Sequence, residues 1–224
     1  MSNCGSGLNN KVLGSQPKDA GVIPSLPLHF ERCSLKDVSD FVKQNHYSKT
    51  YPGGIDYSFK LNYQSELGGA CLFGYMAGNA KASCILEGYE DQNKYRELMR
   101  LVLLDKVPKN SESKFIGWCI RWLKKNTDLL ALISFADPKF GHSGTIYKAS
   151  NWTYCGLQKQ DRPRLIIDGI EIHPRMAYNR YGTSSIKALA DMGIKVTTLP
   201  REPKHRYVYV LKPELKHLLK KRLF

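Results

Sequence analysis

The sequence predicts an α/β protein with a mixed, mostly antiparallel sheet flanked by helices and a small C-terminal hairpin and helix appendage. Three observations predict it. Three strand-like segments lie between Tyr57 and Leu86. An apolar run, an amphipathic helical pattern and a second apolar run follow one another from Glu97 to Ala136, and an Asp-Gly turn with a capped helix closes the chain. At 224 residues and 42% hydrophobic content the chain has room for one α/β core and an appendage, but not for two large independent domains.

The elements follow in order. Residues 1–27 are rich in Gly, Ser, Asn and Pro without an apolar period, and are expected to form a mobile arm that joins the fold near Leu28. Ser34, with Asp37 three residues later, marks a helix start; Leu35, Val38, Phe41 and Val42 make one apolar face ending near His46. A turn-rich loop, His46 to Gly54, leads to the alternation Tyr57, Phe59, Leu61, Tyr63, then to Gly68–Tyr75 and Ala82–Leu86, read as three antiparallel strands. Glu97–Leu104 is too short for a typical helix and reads as a buried strand. Phe115, Ile116, Cys119, Ile120 and Leu123 recur at helical spacing, and Leu129–Ala136 reads as the next strand. Strand, helix and strand in that order imply a right-handed crossover between neighbours in one sheet. A short helix from Thr145 to Ser150 and a strand from Trp152 to Gly156 follow. Arg164 to His173 is a hairpin through Asp168-Gly169, and Thr183-Ser-Ser caps a helix to about Met192. Tyr207–Leu211 is expected as the last strand and Pro213 onward as a basic terminal helix. The boundaries are an arm over 1–27, a core over 28–160 and a basic appendage over 161–224.

Composition narrows the function. No stretch reaches the roughly twenty apolar residues of a membrane helix, and the N-terminus lacks signal-peptide regions, so a soluble intracellular protein with no membrane partner is expected. The six cysteines show no CxxC pair and no zinc-like spacing, which favours reduced core thiols. The net charge of +14 favours phosphate-bearing partners; residues 159–224 hold fifteen Lys/Arg against six Asp/Glu, although a solvated basic face would look the same.

Two places carry candidate chemistry. Lys109-Asn110-Ser111-Glu112-Ser113 opens the central helix, whose first amides can bind phosphate or can simply be an ordinary cap. The glycine patterns of a Walker loop or a Rossmann turn are absent. Asp137 sits just past the next strand, with His142 and Tyr147 close behind: a carboxylate, an imidazole and a phenol able to move protons or hold a metal. Equally, Asp137 caps a turn before Pro138, His142 is a loop residue and Tyr147 packs on the sheet. Arg100 pairs with a phosphate or with a core carboxylate.

Beyond their chemistry, Glu97-Leu-Met-Arg-Leu-Val-Leu-Leu-Asp, Pro108-Lys-Asn-Ser-Glu-Ser, Ser134-Phe-Ala-Asp-Pro and Gly141-His-Ser-Gly-Thr-Ile-Tyr resemble the Mom family of bacteriophage DNA-modification enzymes. Arg180-Tyr-Gly-Thr-Ser-Ser and Lys204-His-Arg-Tyr-Val-Tyr agree, so the resemblance runs from about Phe41 to Leu211. Mom proteins are similar to GNAT acyltransferases, which implies a GNAT-like core with acetyl-coenzyme A along Leu101, Val102 and Leu103. Its pyrophosphate would lie on the amides of Asn110, Ser111, Glu112 and Ser113, where the usual glycine-rich loop is missing. Tyr147 falls where many such enzymes keep a tyrosine general acid, with Asn151 a turn further on. The resemblance also implies conversion of adenine in duplex DNA to the N6-carbamoylmethyl base, protecting phage DNA from restriction in the cytoplasm of an infected bacterium. Attack of an amine on a thioester carbonyl gives an amide, not this product, and an iron-assisted route is what the family suggests; His46, His142 and Asp137 are ligands by type. The target base must leave the stack, which asks for aromatics and cations nearby: Tyr47, Lys49, Tyr51, Arg180, Lys204 and Arg206. The rivals are a conventional acetyltransferase acting on a protein, RNA or small-molecule amine, and a non-catalytic DNA-binding module.

Overall fold

The computed structural model describes residues 28–46, 49, 51–76, 82–141, 143–158 and 163–221, apart from the side chains of Phe140 and Arg175. The expected N-terminal arm therefore lies outside the described residues. Strand β1 (His29–Cys33) was not foreseen from the sequence. It is short and carries His29, Glu31 and Arg32, and it is held by pairing antiparallel with β2 (Ile55–Tyr63). Between them lies α1 (Leu35–Asn45). Ser34 and Asp37 form a full capping box, the Ser34 side chain accepting from the Asp37 amide and the Asp37 carboxylate accepting from the Ser34 amide at 2.8 Å.

Strand β3 (Glu66–Gly74) explains how the sheet is covered on both sides. Its residues alternate between faces: Ala70 and Leu72 pack with Val38 and Val42 of α1, whereas Cys71 and Phe73 join the main core. That core is built under α2 (Ser111–Asn126), from Phe115, Ile116, Cys119, Ile120 and Leu123. Strands β4 (Tyr95–Leu103) and β5 (Ala131–Ala136) flank α2 in sequence and lie side by side in parallel, as the crossover pattern predicts. The chain continues through α3 (Thr145–Ala149) and β6 (Thr153–Gln158).

A second, three-stranded sheet follows, with β7 (Arg164–Ile167) between β8 (Ile170–Ile172) and β9 (Val196–Leu199). The hairpin turn has Asp168 and Gly169 at φ 52 and 82, the paired positive values that an Asp-Gly turn accommodates. Helices α4 (Pro174–Tyr181) and α5 (Ile186–Asp191) close it over Leu165, Ile167, Ala177 and Leu189. Helix α4 and β9 were not anticipated. The final strand, β10 (Lys204–Val210), inserts between β5 and β6 and completes a seven-stranded sheet of order β1-β2-β3-β4-β5-β10-β6. The mixed, mostly antiparallel sheet flanked by helices is therefore present.

Two expected elements take other forms. Ala82–Leu86, read as a strand, contains a 3₁₀ turn over Ala82–Cys84 and one bridge from Leu86 to Leu219. Its apolar residues Ala82, Ile85 and Leu86 are buried as expected, but as a plug beneath Tyr95, Ile133 and Val208 rather than as a ladder. The basic terminal helix is a 3₁₀ segment, Pro213–Leu218, whose Leu215 and Leu218 pack on the same cluster. Cys33, Cys71, Cys119 and Cys155 are buried thiols, and Cys84 is half-buried. No helix among the described residues is long and apolar enough to cross a membrane.

Candidate active site

The site arises where two parallel strands part. Pairing of β4 with β5 stops at Glu97↔Ile133, while β4 continues to Leu103 against β3. A register shift between Leu72 and Phe73 leaves Met99 as an extra residue on β4, so the strict alternation of faces is broken. Leu98, Met99, Arg100 and Leu101 consequently all reach one cleft of about 420 Å³, together with Leu103. Across it stand Phe135, Ala136 and Asp137 from the end of β5, and Ser143 to Tyr147 at the start of α3. His46, closing α1, and Glu112, in the first turn of α2, complete the lining.

Of the expected catalytic residues, His46, Arg100, Asp137 and Tyr147 are thus brought together. His142 lies outside the described residues. His46 is 8% exposed, and Arg100 donates to the Met99 carbonyl at 2.6 Å. Asp137 caps its turn and also lines the cleft. Its carboxylate accepts from the Lys139 amide at 3.1 Å, and Lys204 Nζ pairs with it at 3.0 Å. Tyr147 stacks between Tyr207, 5.1 Å away, and Trp152, 5.4 Å away. Its hydroxyl lies 2.8 Å from Ser134 Oγ.

The turn before α3 is shaped by one glycine. Gly144 has φ 77, and a Cβ there would fall 2.3 Å from the Tyr207 ring. The Tyr207 hydroxyl donates to the Ser143 carbonyl at 2.8 Å, which fixes the loop on β10. Burial raises the Tyr207 pKa, so that phenol remains a donor.

The expected coenzyme residues divide. Leu101 and Leu103 line the cleft, but Val102 points to the opposite face of β4 and is buried there, leaving only its backbone to take part. At the start of α2 the Asn110 side chain makes no capping bond and its φ is 67. The Ser111 amide is already taken up by the Pro108 carbonyl at 3.2 Å, so it is not available to a phosphate as expected. The buried Ser111 hydroxyl has no hydrogen-bond partner among the described residues. Ser113 Oγ donates to the Asn110 carbonyl at 3.0 Å. That leaves the amides of Asn110, Glu112 and Ser113 at the helix end, where Glu112 forms part of the cleft wall. Asn151 does not line the cleft: α3 ends at Ala149, and Asn151, with φ 62 and exposed, lies beyond the helix face that holds Tyr147.

The expected metal set is not assembled by the described residues. His46 and Asp137 share the cleft, but no three His, Cys, Asp or Glu side chains converge among the described residues.

The DNA-facing candidates also divide. Lys49 and Arg180 are exposed. Tyr47 lies outside the described residues. Tyr51 packs on the α1 cluster with Lys43 Nζ 5.3 Å from its ring, the core role that was the alternative to stacking. Lys204 is half-buried and paired with Asp137 at 3.0 Å. Arg206 cannot contact DNA: it is 1% exposed, and its guanidinium donates to the carbonyls of Cys84 and Lys220 at 3.1 and 2.8 Å. The Cys84 and Lys220 segments cover its face of β10, a fact hidden by its basic neighbours in sequence.

Residues 27–223 match the model of the Mom protein family. The chain belongs to that family. This Mom-family chain is 28% identical over 134 residues to the methylcarbamoylase mom of Escherichia phage Mu, covering 59% of the chain and 55% of that relative, about half its length. Among solved structures it is similar to a spermidine N-acetyltransferase chimera from Vibrio cholerae (TM-score 0.49, 9% identity, 84% of this chain and 98% of that one). It is also similar to the ribosomal-protein-S18-alanine N-acetyltransferase of Escherichia coli (TM-score 0.47, 7% identity, 83% and 95%). Likenesses at this level say nothing about substrate or chemistry.

Sequence reasoning missed Met99, Phe135, Ser143 and the cleft-facing role of Glu112. It also missed Ser134, although a serine inside the apolar run Leu132-Ile-Ser-Phe-Ala136 is itself a signal, because a buried hydroxyl needs partners.

Proposed function

We propose that this chain is an acetyl-coenzyme A-dependent DNA-modification enzyme that converts adenine in duplex DNA to the N6-carbamoylmethyl base, protecting phage DNA from restriction in the host cytoplasm. The observation that carries the reading is the gathering of His46, Arg100, Asp137 and Tyr147 around one cleft, in a chain that belongs to the Mom family. Bound coenzyme would supply the two-carbon unit and leave as the free thiol, while an ammonia-level donor supplies the amide nitrogen and a two-electron oxidant takes up the two hydrogens lost in forming the N–C bond. The residues present fit the coenzyme's acyl arm, since β4 beyond Glu97 offers a strand edge that β5 does not cover, lined by Leu101 and Leu103. The amides of Asn110, Glu112 and Ser113 are the groups left for its phosphates.

The protein side of the mechanism is orientation and proton handling. Adenine N6 is paired inside a duplex, so the base is flipped into the cleft before it reacts. Lys49 and Arg180 are exposed cations suited to flanking phosphates, and the +14 charge draws the duplex in. In the cleft, Asp137 accepts an N–H of the exocyclic amine or holds Lys204 against it, and Tyr147 orders the reacting end. Arg100 offers positive charge where the thioester polarises. His46 and Asp137 are donors the cleft would offer an iron ion, and among the described residues no three His, Cys, Asp or Glu side chains converge.

Mass spectrometry of nucleosides from DNA of cells expressing the chain tests this reading. A modified deoxyadenosine that disappears with Asp137→Ala, while retention on duplex DNA persists, supports it. Unmodified DNA together with plain acetylation of another amine would replace it with a conventional acetyltransferase.

A further inference from the structure

We propose that Lys204 is a positioning residue: it fixes the plane of the Asp137 carboxylate at the cleft and makes no contact with a DNA phosphate. The pairing of β10 with β5 ends at His205↔Ala136, so the next residues outward, Lys204 and Asp137, stand opposite each other across the two strands. Lys204 Nζ lies 3.0 Å from Asp137 Oδ2, and the two side chains are 32% and 18% exposed. The other oxygen, Oδ1, accepts from the Lys139 amide at 3.1 Å. Asp137 lines the cleft and Lys204 does not, so the lysine holds the carboxylate from outside the space a substrate would fill.

Two holds are needed because of the aspartate side chain itself. Its Cβ–Cγ bond joins an sp3 to an sp2 carbon and has no narrow staggered minimum, so partners set the carboxylate plane. A bond to Oδ1 alone leaves the group able to swing about that oxygen; Lys204 on Oδ2 removes this freedom. An ionised carboxylate has about four acceptor sites, and those left over can take the N–H of an exocyclic amine. The segment leading into Lys204 is itself held, since Arg164 Nε donates to the Pro200 carbonyl at 3.2 Å. To reach a phosphate the ammonium would have to leave Asp137, and a mostly buried carboxylate would lose its countercharge. The catalytic consequence rests on the function proposed above; the ion pair and the absence of a phosphate contact do not.

Lys204→Met keeps the unbranched stem and removes the charge, and Lys204→Arg keeps the charge. Expected for Lys204→Met is a turnover about tenfold lower with KM for duplex DNA changed less than about twofold, and most of the turnover recovered in Lys204→Arg. The dependence of duplex-DNA affinity on salt supplies a readout apart from activity. Loss of one phosphate contact lowers the slope of log affinity against log salt by about 0.9, and the slope of Lys204→Met is expected to equal that of the wild type. A slope lowered by that amount would overturn the proposal. So would wild-type turnover in Lys204→Met, or Lys204→Arg no better than Lys204→Met with both variants folded. In urea unfolding, Lys204→Met should lower the midpoint more in the wild type than in Asp137→Asn, and equal shifts in the two backgrounds would deny the pair. If the wild type modifies no adenine while the salt slope and the midpoints come out as expected, the functional reading fails and the placement of Lys204 stands.

Discussion

Asp137 and Arg206 show how far residue type falls short of residue role. Asp137 was placed by its position after a strand, and both its turn cap at Lys139 and its pairing with Lys204 follow from that position. Arg206 was placed by its charge among basic neighbours, and the charge misled. In β10 it is covered by distant segments, where two carbonyls at 2.8 and 3.1 Å replace solvent. Removing one side of such a buried polar contact leaves the other unsatisfied. Arg206→Met is therefore expected to cost about 3 kcal/mol of stability in urea unfolding, with retention on duplex DNA at fixed salt unchanged. A fall in DNA retention with stability intact would return Arg206 to the interface.

Among the elements, those with complete local signals were legible in the sequence. Helix α1 announces itself by Ser34, Asp37 and its apolar stripe, and the capping box is there. Ser34→Ala should lower stability by about 1 kcal/mol, read as a shift in the thermal midpoint. The Ser34 hydrogen bonds also hold the Asp37 carboxyl below its usual value of 3.8. A carboxylate with a depressed folded value stabilises above the unfolded value and loses that contribution as pH falls through the folded one. The difference between wild type and Ser34→Ala should consequently shrink on acidification below about pH 4; a constant gap would deny the coupling. The elements that escaped notice, β1, α4 and β9, are short and mixed in composition, and pairing or packing with distant segments defines them. Ala82–Leu86 erred the other way: burial without a ladder leaves the same apolar run as a strand.

At the scale of the molecule, buried phenols set the alkaline limit. Burial pushes Tyr95, fully enclosed with its hydroxyl donating to the Tyr89 carbonyl at 2.6 Å, up to about 12, and also raises Tyr57 and Tyr207. A group whose folded pKa lies above its unfolded value of about 10 gives its full contribution below pH 10 and loses it as pH rises through the folded value. The unfolding midpoint should hold to about pH 10 and then fall steadily toward pH 12, with Tyr95→Phe flattening part of the slope. An unaltered slope in that variant would assign the loss to other groups.

The sequence by itself determined the α/β class, the cap of α1, the central strand-helix-strand unit, the Asp-Gly hairpin and the family, because each is written in contiguous residues. The tertiary structure alone decided which of the candidate residues meet. The early end of β4–β5 pairing opens the cleft, the Met99 bulge brings four successive residues to it, and β10, entering from the far end of the chain, brings Lys204 to Asp137 and buries Arg206. Those outcomes depend on contacts between segments far apart in the chain, and local preferences carry no record of them.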